Sequence, residues 1–166
     1  MIETTGERWY ERLDSAGAVY GSLLAASVVL AQSPLQVAVP PGELAVLLLG
    51  TGAVFWLVHV YTRTVGRYVA SGRFTWSALA RAAEDESPIA LAALPPAAAA
   101  LVAGALGGSP SAAAWWAFVT ALCGQLAWAV AATRQVGAPV RVTVVSVLIN
   151  LALGLVLVVL KVAIAH

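Results

Sequence analysis

The sequence is poor in charge and has a single cysteine. Of its 166 residues, 10% are Asp, Glu, Lys or Arg and 61% are hydrophobic, whereas a typical soluble domain has about 25% charged and about 45–50% apolar residues. So few charges cannot cover a surface that faces water, and the composition therefore excludes an ordinary soluble domain. Cys123 is the one cysteine, which excludes a disulfide framework or a thiolate metal site within one chain.

Motifs of the common enzyme classes are absent as well. The chain contains no Gly-x-Ser-x-Gly, no His-Glu-x-x-His, no P-loop and no Gly-x-Gly-x-x-Gly, which are patterns that carry the chemistry of hydrolases, metalloproteases and nucleotide-binding enzymes. It also lacks the sustained basic patch that nucleic-acid binding requires. We therefore expect a protein that is not an enzyme, with no cofactor, no metal site and no nucleic-acid partner.

The charged residues are clustered, and the blocks between the clusters are long enough to cross a membrane. Asp, Glu, Lys and Arg are all missing from residues 15–42, 44–62, 87–133 and 142–160. A bilayer core needs about 20 mainly apolar residues per helix, and a turn signal, Gly-Gly-Ser-Pro-Ser, divides the third block at residues 107–111. We predict an all-α, polytopic integral membrane protein, a single membrane domain with five transmembrane helices at residues 15–31, 44–62, 88–106, 112–133 and 142–160.

The arginines alternate between successive connections of these spans. They occur in the N-terminal segment, between spans two and three and between spans four and five, and the other two connections have none. By the positive-inside rule, the alternation predicts a cytoplasmic N-terminus and an external C-terminus, with residues 1–14 as a cytoplasmic or interfacial segment. The excess of arginine over lysine, with much Ala, Gly and Val, indicates a GC-rich bacterial genome and hence the bacterial inner (plasma) membrane.

The segment between spans two and three, residues 64–86, is basic and amphipathic. We predict an interfacial cytoplasmic linker that contains a short helix from about Thr75. Clustered basic residues beside a membrane span attract anionic lipid. We therefore expect contacts with anionic lipid through Arg67, Arg73 and Arg81.

The start of span three also carries clear signals. Ser87 followed by Pro88 predicts an N-cap and a first helical position. The acidic residues 84–86 just before it are either a solvated helix end, favoured by the helix dipole, or part of a cation site. Pro95 and Pro96 lie inside the span and are expected to kink it.

Span five carries a polar stripe along one helical face. Thr143, Ser146, Asn150 and Gly154 follow one another at steps of three and four residues, which place them on the same side of a helix. An Asn amide left unpaired in hydrocarbon costs several kcal/mol, so Asn150 must have a partner. Either it makes a hydrogen bond to a neighbouring helix, or the stripe lines a hydrated pore or transport path.

Spans one and four have smaller features of the same kind. Ser22 shares a face with Gly17 and Gly21, which form a small-xxx-small motif, and Gln125 lies near the middle of span four beside Gly124. Small residues let two helix backbones approach closely. We expect these glycines, and Gly154 on span five, to pack between helices, and we take Ser22 and Gln125 as candidates for a polar face.

Span two ends in the bulky stretch Val-Phe-Trp-Leu-Val-His-Val-Tyr-Thr-Arg, residues 54–63. His59 lies about one turn inside the predicted cytoplasmic end, and an ionisable residue within a membrane is a candidate functional group. Imidazole also changes its charge near neutral pH. Near the interface, however, it can pair with Tyr61 or Arg63 or reach water. His59 is therefore either a working group of a polar face or a packed side chain near a helix end.

Three short motifs follow one another along the first two-thirds of the chain. Arg-Leu-Asp at residues 12–14 leads into the first helix, Phe55, Trp56 and His59 form a Phe-Trp-x-x-His segment in the second, and Leu-Pro-Pro at residues 94–96 interrupts the third. In this order the chain resembles the bacterial relatives of the endolysosomal potassium channel family. The resemblance implies a tetrameric channel whose first helices line the pore.

The chain also departs from that family. Residues 16–18 are Ala-Gly-Ala where the family has Phe-Ser-Asp, and we predict five helices where the family unit has six. From the polar faces and the resemblance, we expect a small homo-oligomeric membrane channel or transporter for a cation or proton. The alternative is a non-conducting accessory or structural membrane subunit that docks a partner membrane protein.

Overall fold

A computed structural model of the chain describes residues 15–32 and 39–164. This part is helical, with no strand, and the predicted all-α class is confirmed. The helices are α1 Ser15–Ala31, α2 Pro41–Ser71, α3 Trp76–Asp85, α4 Ser87–Leu91, α5 Leu94–Ala105, α6 Pro110–Gln135 and α7 Val140–Ile164. The predicted N-terminal segment, residues 1–14, lies outside the described residues.

The helices have the length and the apolar character of membrane spans. Among the described residues, four helical stretches are long and apolar enough to cross a membrane: Pro41–Ser71, Trp76–Ala105, Pro110–Gln135 and Val140–Val159. The first helix is apolar but shorter, and its 17 residues rise about 26 Å, against a hydrocarbon core of about 30 Å.

Helix α2 is longer than the sequence predicted. It continues past Thr62 to Ser71, and it ends there because Gly72 has a positive φ of 65° and its N–H bonds the Tyr68 carbonyl at 2.7 Å. Residues 64–71 of the predicted linker are therefore helical and continue α2, since arginines are good helix formers and do not end a helix. The short helix expected from about Thr75 is present as α3, because the Thr75 hydroxyl accepts a hydrogen bond from the Ala78 N–H at 3.2 Å and caps it.

The third span is broken into two helices, α4 and α5. Pro95 and Pro96 have no N–H to donate to the carbonyls one turn earlier, but proline is tolerated in a first turn, so α5 begins at Leu94. We expected a kink at the prolines, and the structure instead has an interruption of the helix just before them. The predicted N-cap at Ser87 is wrong, because Glu86 occupies that position and the Ser87 hydroxyl donates to the Glu84 carbonyl at 2.7 Å.

Helix α6 lies at the centre of the bundle and packs against α1, α5 and α7. Its buried face repeats every fourth residue and is built almost entirely from small side chains, which let the neighbouring backbones approach. The members of this row are Ala113, Ala117, Ala121, Gln125, Ala129 and Thr133. Gln125 is the one large polar side chain in the row, and it marks the place where the buried polar chemistry lies.

Candidate functional site

The most deeply buried polar contact joins α6 to α7. The Gln125 Nε2 donates to the Asn150 Oδ1 at 3.0 Å, and the Asn150 Nδ2 donates to the Ser146 carbonyl at 2.9 Å. Gln125 is 1% exposed and Asn150 is 9% exposed. An unpaired amide in hydrocarbon would cost several kcal/mol, and here the Gln125 amide nitrogen bonds the Asn150 side chain while the Asn150 amide nitrogen bonds the backbone of its own helix. Of the two alternatives for Asn150, this geometry is the hydrogen bond between helices.

Small residues close the bundle around this amide pair. A Cβ on Gly154 would lie 3.0 Å from the Leu122 Cδ2, and a Cβ on Gly124 would lie 3.4 Å from the Ser22 Oγ. The Ser22 hydroxyl donates to the carbonyl of Ala18 in its own helix at 2.9 Å and is buried. Helices α1 and α7 therefore both lie close to α6 at this level. The Ser22 hydroxyl is bonded to the backbone of its own helix and not to a neighbouring helix.

The rest of the α7 stripe lies nearer the helix surface. Ser146 and Thr143 are half-buried, one and two turns before Asn150. Most of the apolar residues of α7 are exposed to the outside of the bundle, among them Val145, Leu148 and Ile149. The stripe thus faces the protein at Asn150 and reaches its edge towards the start of the helix.

His59 lies apart from the amide pair, in contact with α1. Its Nδ1 lies 2.8 Å from the Phe55 carbonyl, which can only accept, so a hydrogen bond here is made by the tautomer protonated at Nδ1. The ring is 5.3 Å from the ring of Tyr20. The half-buried imidazole is therefore held by its own helix and by an aromatic neighbour on α1.

The other two residues of the Phe-Trp-x-x-His segment, Phe55 and Trp56, contact α1 and α3. The Phe55 ring meets the Tyr20 ring edge-on at 6.2 Å. The Trp56 Nε1 donates to the Ala83 carbonyl of α3 at 2.9 Å. Both side chains thus have packing roles in this structure.

A cluster of charges joins α2 to the start of α4. The Arg63 guanidinium bonds the Glu86 Oε1 at 2.6 Å and the Asp85 Oδ2 at 3.2 Å, and Arg67 approaches the same Asp85 oxygen at 3.8 Å. Glu86 is 9% exposed, so it is a buried ion-pair partner rather than a solvated helix end. The cluster fixes the C-terminal half of α2 against the α3–α4 junction.

The short helix α4 packs against α1 at Gly17 and Gly21. A Cβ on Gly21 would lie 2.5 Å from the Ile89 carbonyl oxygen and 2.9 Å from the Ala92 Cβ, and one on Gly17 would lie 3.3 Å from the Ile89 Cγ1. The small-xxx-small face of α1 is therefore in close contact with α4. Ile89 itself is buried at this contact.

Two apolar grooves lie on the outside of the helices. One of about 240 Å³ runs between α6 and α7 over the amide pair, and one of about 540 Å³ runs along α2 and α3. Within residues 15–32 and 39–164, no group of three or more His, Cys, Asp or Glu side chains could hold a metal ion. Both grooves are apolar surfaces against which a lipid chain or a helix can pack.

Comparison with family models, curated proteins and solved structures gives no match.

Proposed function

We propose that the protein is a five-span membrane protein with a cytoplasmic N-terminus, which serves as a non-conducting structural or accessory subunit of the bacterial inner membrane. The observation that carries this proposal is the Gln125–Asn150 amide pair, which is closed within one chain. A pore or transport path presents its polar groups to the ion or to water. In this bundle the most central polar groups bond each other.

The other polar side chains of the spans support the same conclusion. The Thr64 hydroxyl donates to the Val60 carbonyl at 2.7 Å, and the Thr133 hydroxyl donates to the Val130 carbonyl at 3.0 Å. Among the described residues, no buried side-chain nitrogen or oxygen lacks a hydrogen-bond partner. These hydroxyls are therefore bonded to the backbone of their own helices, and none of them is left free to line a path for ions or water.

The position of α1 also supports a non-conducting role. The first helix contacts α2, α4, α6 and α7. Between residues 16 and 32, only Ala16, Tyr20 and Ala31 are exposed. A helix that lines a pore in an oligomer needs one free face along its length, and α1 is enclosed by its own chain.

The Asn150→Leu variant tests the role of the amide pair. We expect the free energy of unfolding to fall by about 1–2 kcal/mol, because the buried Gln125 amide loses its partner. The Gln125→Leu/Asn150→Leu double variant should recover part of this loss, since no amide is then left unpaired. Thermal unfolding in detergent measures both effects, and an Ile149→Leu variant, changed at an exposed site beside it, is the matched control. An Asn150→Leu protein that unfolds like the wild type but changes an ion flux would contradict the proposal.

A homo-oligomeric channel or transporter for a cation or proton is the second candidate. The break between α4 and α5 favours it, because discontinuous helices build the ion and substrate sites of many transporters. The half-buried imidazole of His59, inside α2, and the resemblance of Phe55, Trp56 and His59 to the potassium channel motif add to it. In that case a His59→Leu variant should alter flux while the protein keeps its assembly.

A further inference from the structure

The larger groove follows a continuous stripe on the outer face of α2. Leu57, Tyr61, Val65 and Tyr68 succeed one another at steps of four, four and three residues and line the groove along its length. Phe74 and Leu79 line it from the α3 side. All four side chains of the stripe are exposed. The groove therefore offers an open, elongated apolar surface.

The length of this groove matches one leaflet of a bilayer. From Leu57 to Tyr68, α2 rises about 17 Å, and half of a hydrocarbon core of about 30 Å is about 15 Å. The volume of about 540 Å³ lies within the range of small-molecule sites, about 300–1,000 Å³. A lipid acyl chain that lies parallel to α2 fits these dimensions.

The end of the groove at Tyr68 has the features of the membrane–water interface. Gly72 ends α2 at this point, and Phe74 packs edge-on against Trp76 with 5.3 Å between ring centroids. Trp76 is 76% exposed, and Trp and Tyr are enriched where headgroups meet hydrocarbon. The amphipathic helix α3 starts here. These features are typical of a segment at the level of lipid headgroups.

An arginine follows the end of α2 there. Arg63 and Arg67 are engaged with Asp85 and Glu86. Arg73 lies between Gly72 and Phe74 in the sequence. It is exposed and forms no ion pair with the residues described. Its guanidinium can bond a phosphate in a bidentate manner. A cationic residue thus directly precedes Phe74, which lines the groove.

We infer that this groove binds an anionic phospholipid, with one acyl chain along α2 and the headgroup phosphate at Arg73. A helix of another protein or of a second copy would fill the apolar groove as well, and the anionic headgroup is favoured because it supplies a phosphate for the unpaired cation beside the interfacial aromatic residues. The inference depends on the membrane embedding of the helices and does not depend on whether the protein conducts ions.

Native mass spectrometry with added lipid tests this site. The purified wild-type protein is titrated with phosphatidylglycerol or with phosphatidylcholine of the same acyl chains, and the bound lipids are counted. We expect one phosphatidylglycerol to bind before the others and at least fivefold more tightly than phosphatidylcholine. Equal binding of the two lipids, or a dimer seen in place of a lipid adduct, would overturn the inference.

Two variants, each with a matched control, test the binding of the acyl chain and the binding of the headgroup separately. Val65→Trp fills the groove, and Val145→Trp places the same side chain at an exposed position on α7. Arg73→Gln removes the charge beside Phe74, and Arg141→Gln removes an exposed arginine near the start of α7.

We expect Val65→Trp to abolish the first binding event and Arg73→Gln to weaken phosphatidylglycerol about fivefold with little effect on phosphatidylcholine. The two control variants should bind as the wild type does. Arg73→Gln leaves the packed residues untouched, so it tests the site even if Val65→Trp does not fold. Unchanged lipid selectivity in Arg73→Gln would overturn the inference.

Discussion

Replacement of Gly21 by alanine is expected to lower the free energy of unfolding by about 2–3 kcal/mol. The new methyl group would lie 2.5 Å from the carbonyl oxygen of Ile89 and 2.9 Å from the Cβ of Ala92. These are backbone and near-backbone atoms, so no side-chain rotation can relieve the clash, and α1 must move away from α4. Thermal unfolding of the purified protein in detergent measures the loss.

The Gly50→Ala variant is the matched control for this effect. Gly50 lies inside α2, and nothing lies within 4 Å of a Cβ built on it. Alanine is also the better helix former, so this variant should be as stable as the wild type or slightly more stable. Equal stability of Gly21→Ala and Gly50→Ala would show that α1 and α4 are not in close contact.

Replacement of Arg63 by methionine is expected to cost about 2–3 kcal/mol. The change leaves the buried Glu86 carboxylate without the guanidinium that lies 2.6 Å from it. Breaking a fully buried ion pair costs about 3–5 kcal/mol, and the partial exposure of Arg63 lowers this figure. Since Asp85 also loses a partner, the α3–α4 junction should detach from α2 before the rest of the bundle unfolds.

Hydrogen exchange and thermal unfolding together check the Arg63 prediction. Exchange should become faster across α3 and α4 and stay unchanged in α7. The Arg63→Met/Glu86→Leu double variant should regain stability, because no buried charge is left without a partner. Arg81→Gln, which removes an exposed arginine of α3, is the control. Wild-type stability of Arg63→Met, or no recovery in the double variant, would contradict the role given to the cluster.

The sequence predicts the helices well where local signals define them. A helix, Ser15–Ala31, occupies the residues of the first predicted span, and the short helix begins at the Thr75 cap as expected. The end of α2 was missed because charge marks the membrane boundary but does not end a helix. The actual signal is Gly72, whose left-handed conformation suits glycine far better than other residues.

Contacts between distant parts of the chain were less predictable. The sequence indicates that Asn150 needs a partner, but only the packing of α7 on α6 selects Gln125. The Arg63–Glu86 pair was missed, since the acidic residues at 84–86 precede a helix start and are equally suited to water. Only the fold of α3 back along α2 brings them to Arg63. Gly21 was recognised as a contact residue from its spacing, and its neighbour Ile89 could not be identified from the sequence.

Ion flux into liposomes that contain the purified wild-type protein tests the central claim most directly. A pH dye and gradients of potassium or sodium report the flux at several pH values and at both signs of the membrane voltage. Protein-free vesicles are the control, and an added ionophore verifies that each gradient is intact. A closed, non-conducting bundle predicts flux no faster than in protein-free vesicles. A cation- or proton-selective flux that Asn150→Leu or His59→Leu alters would contradict it and establish the channel.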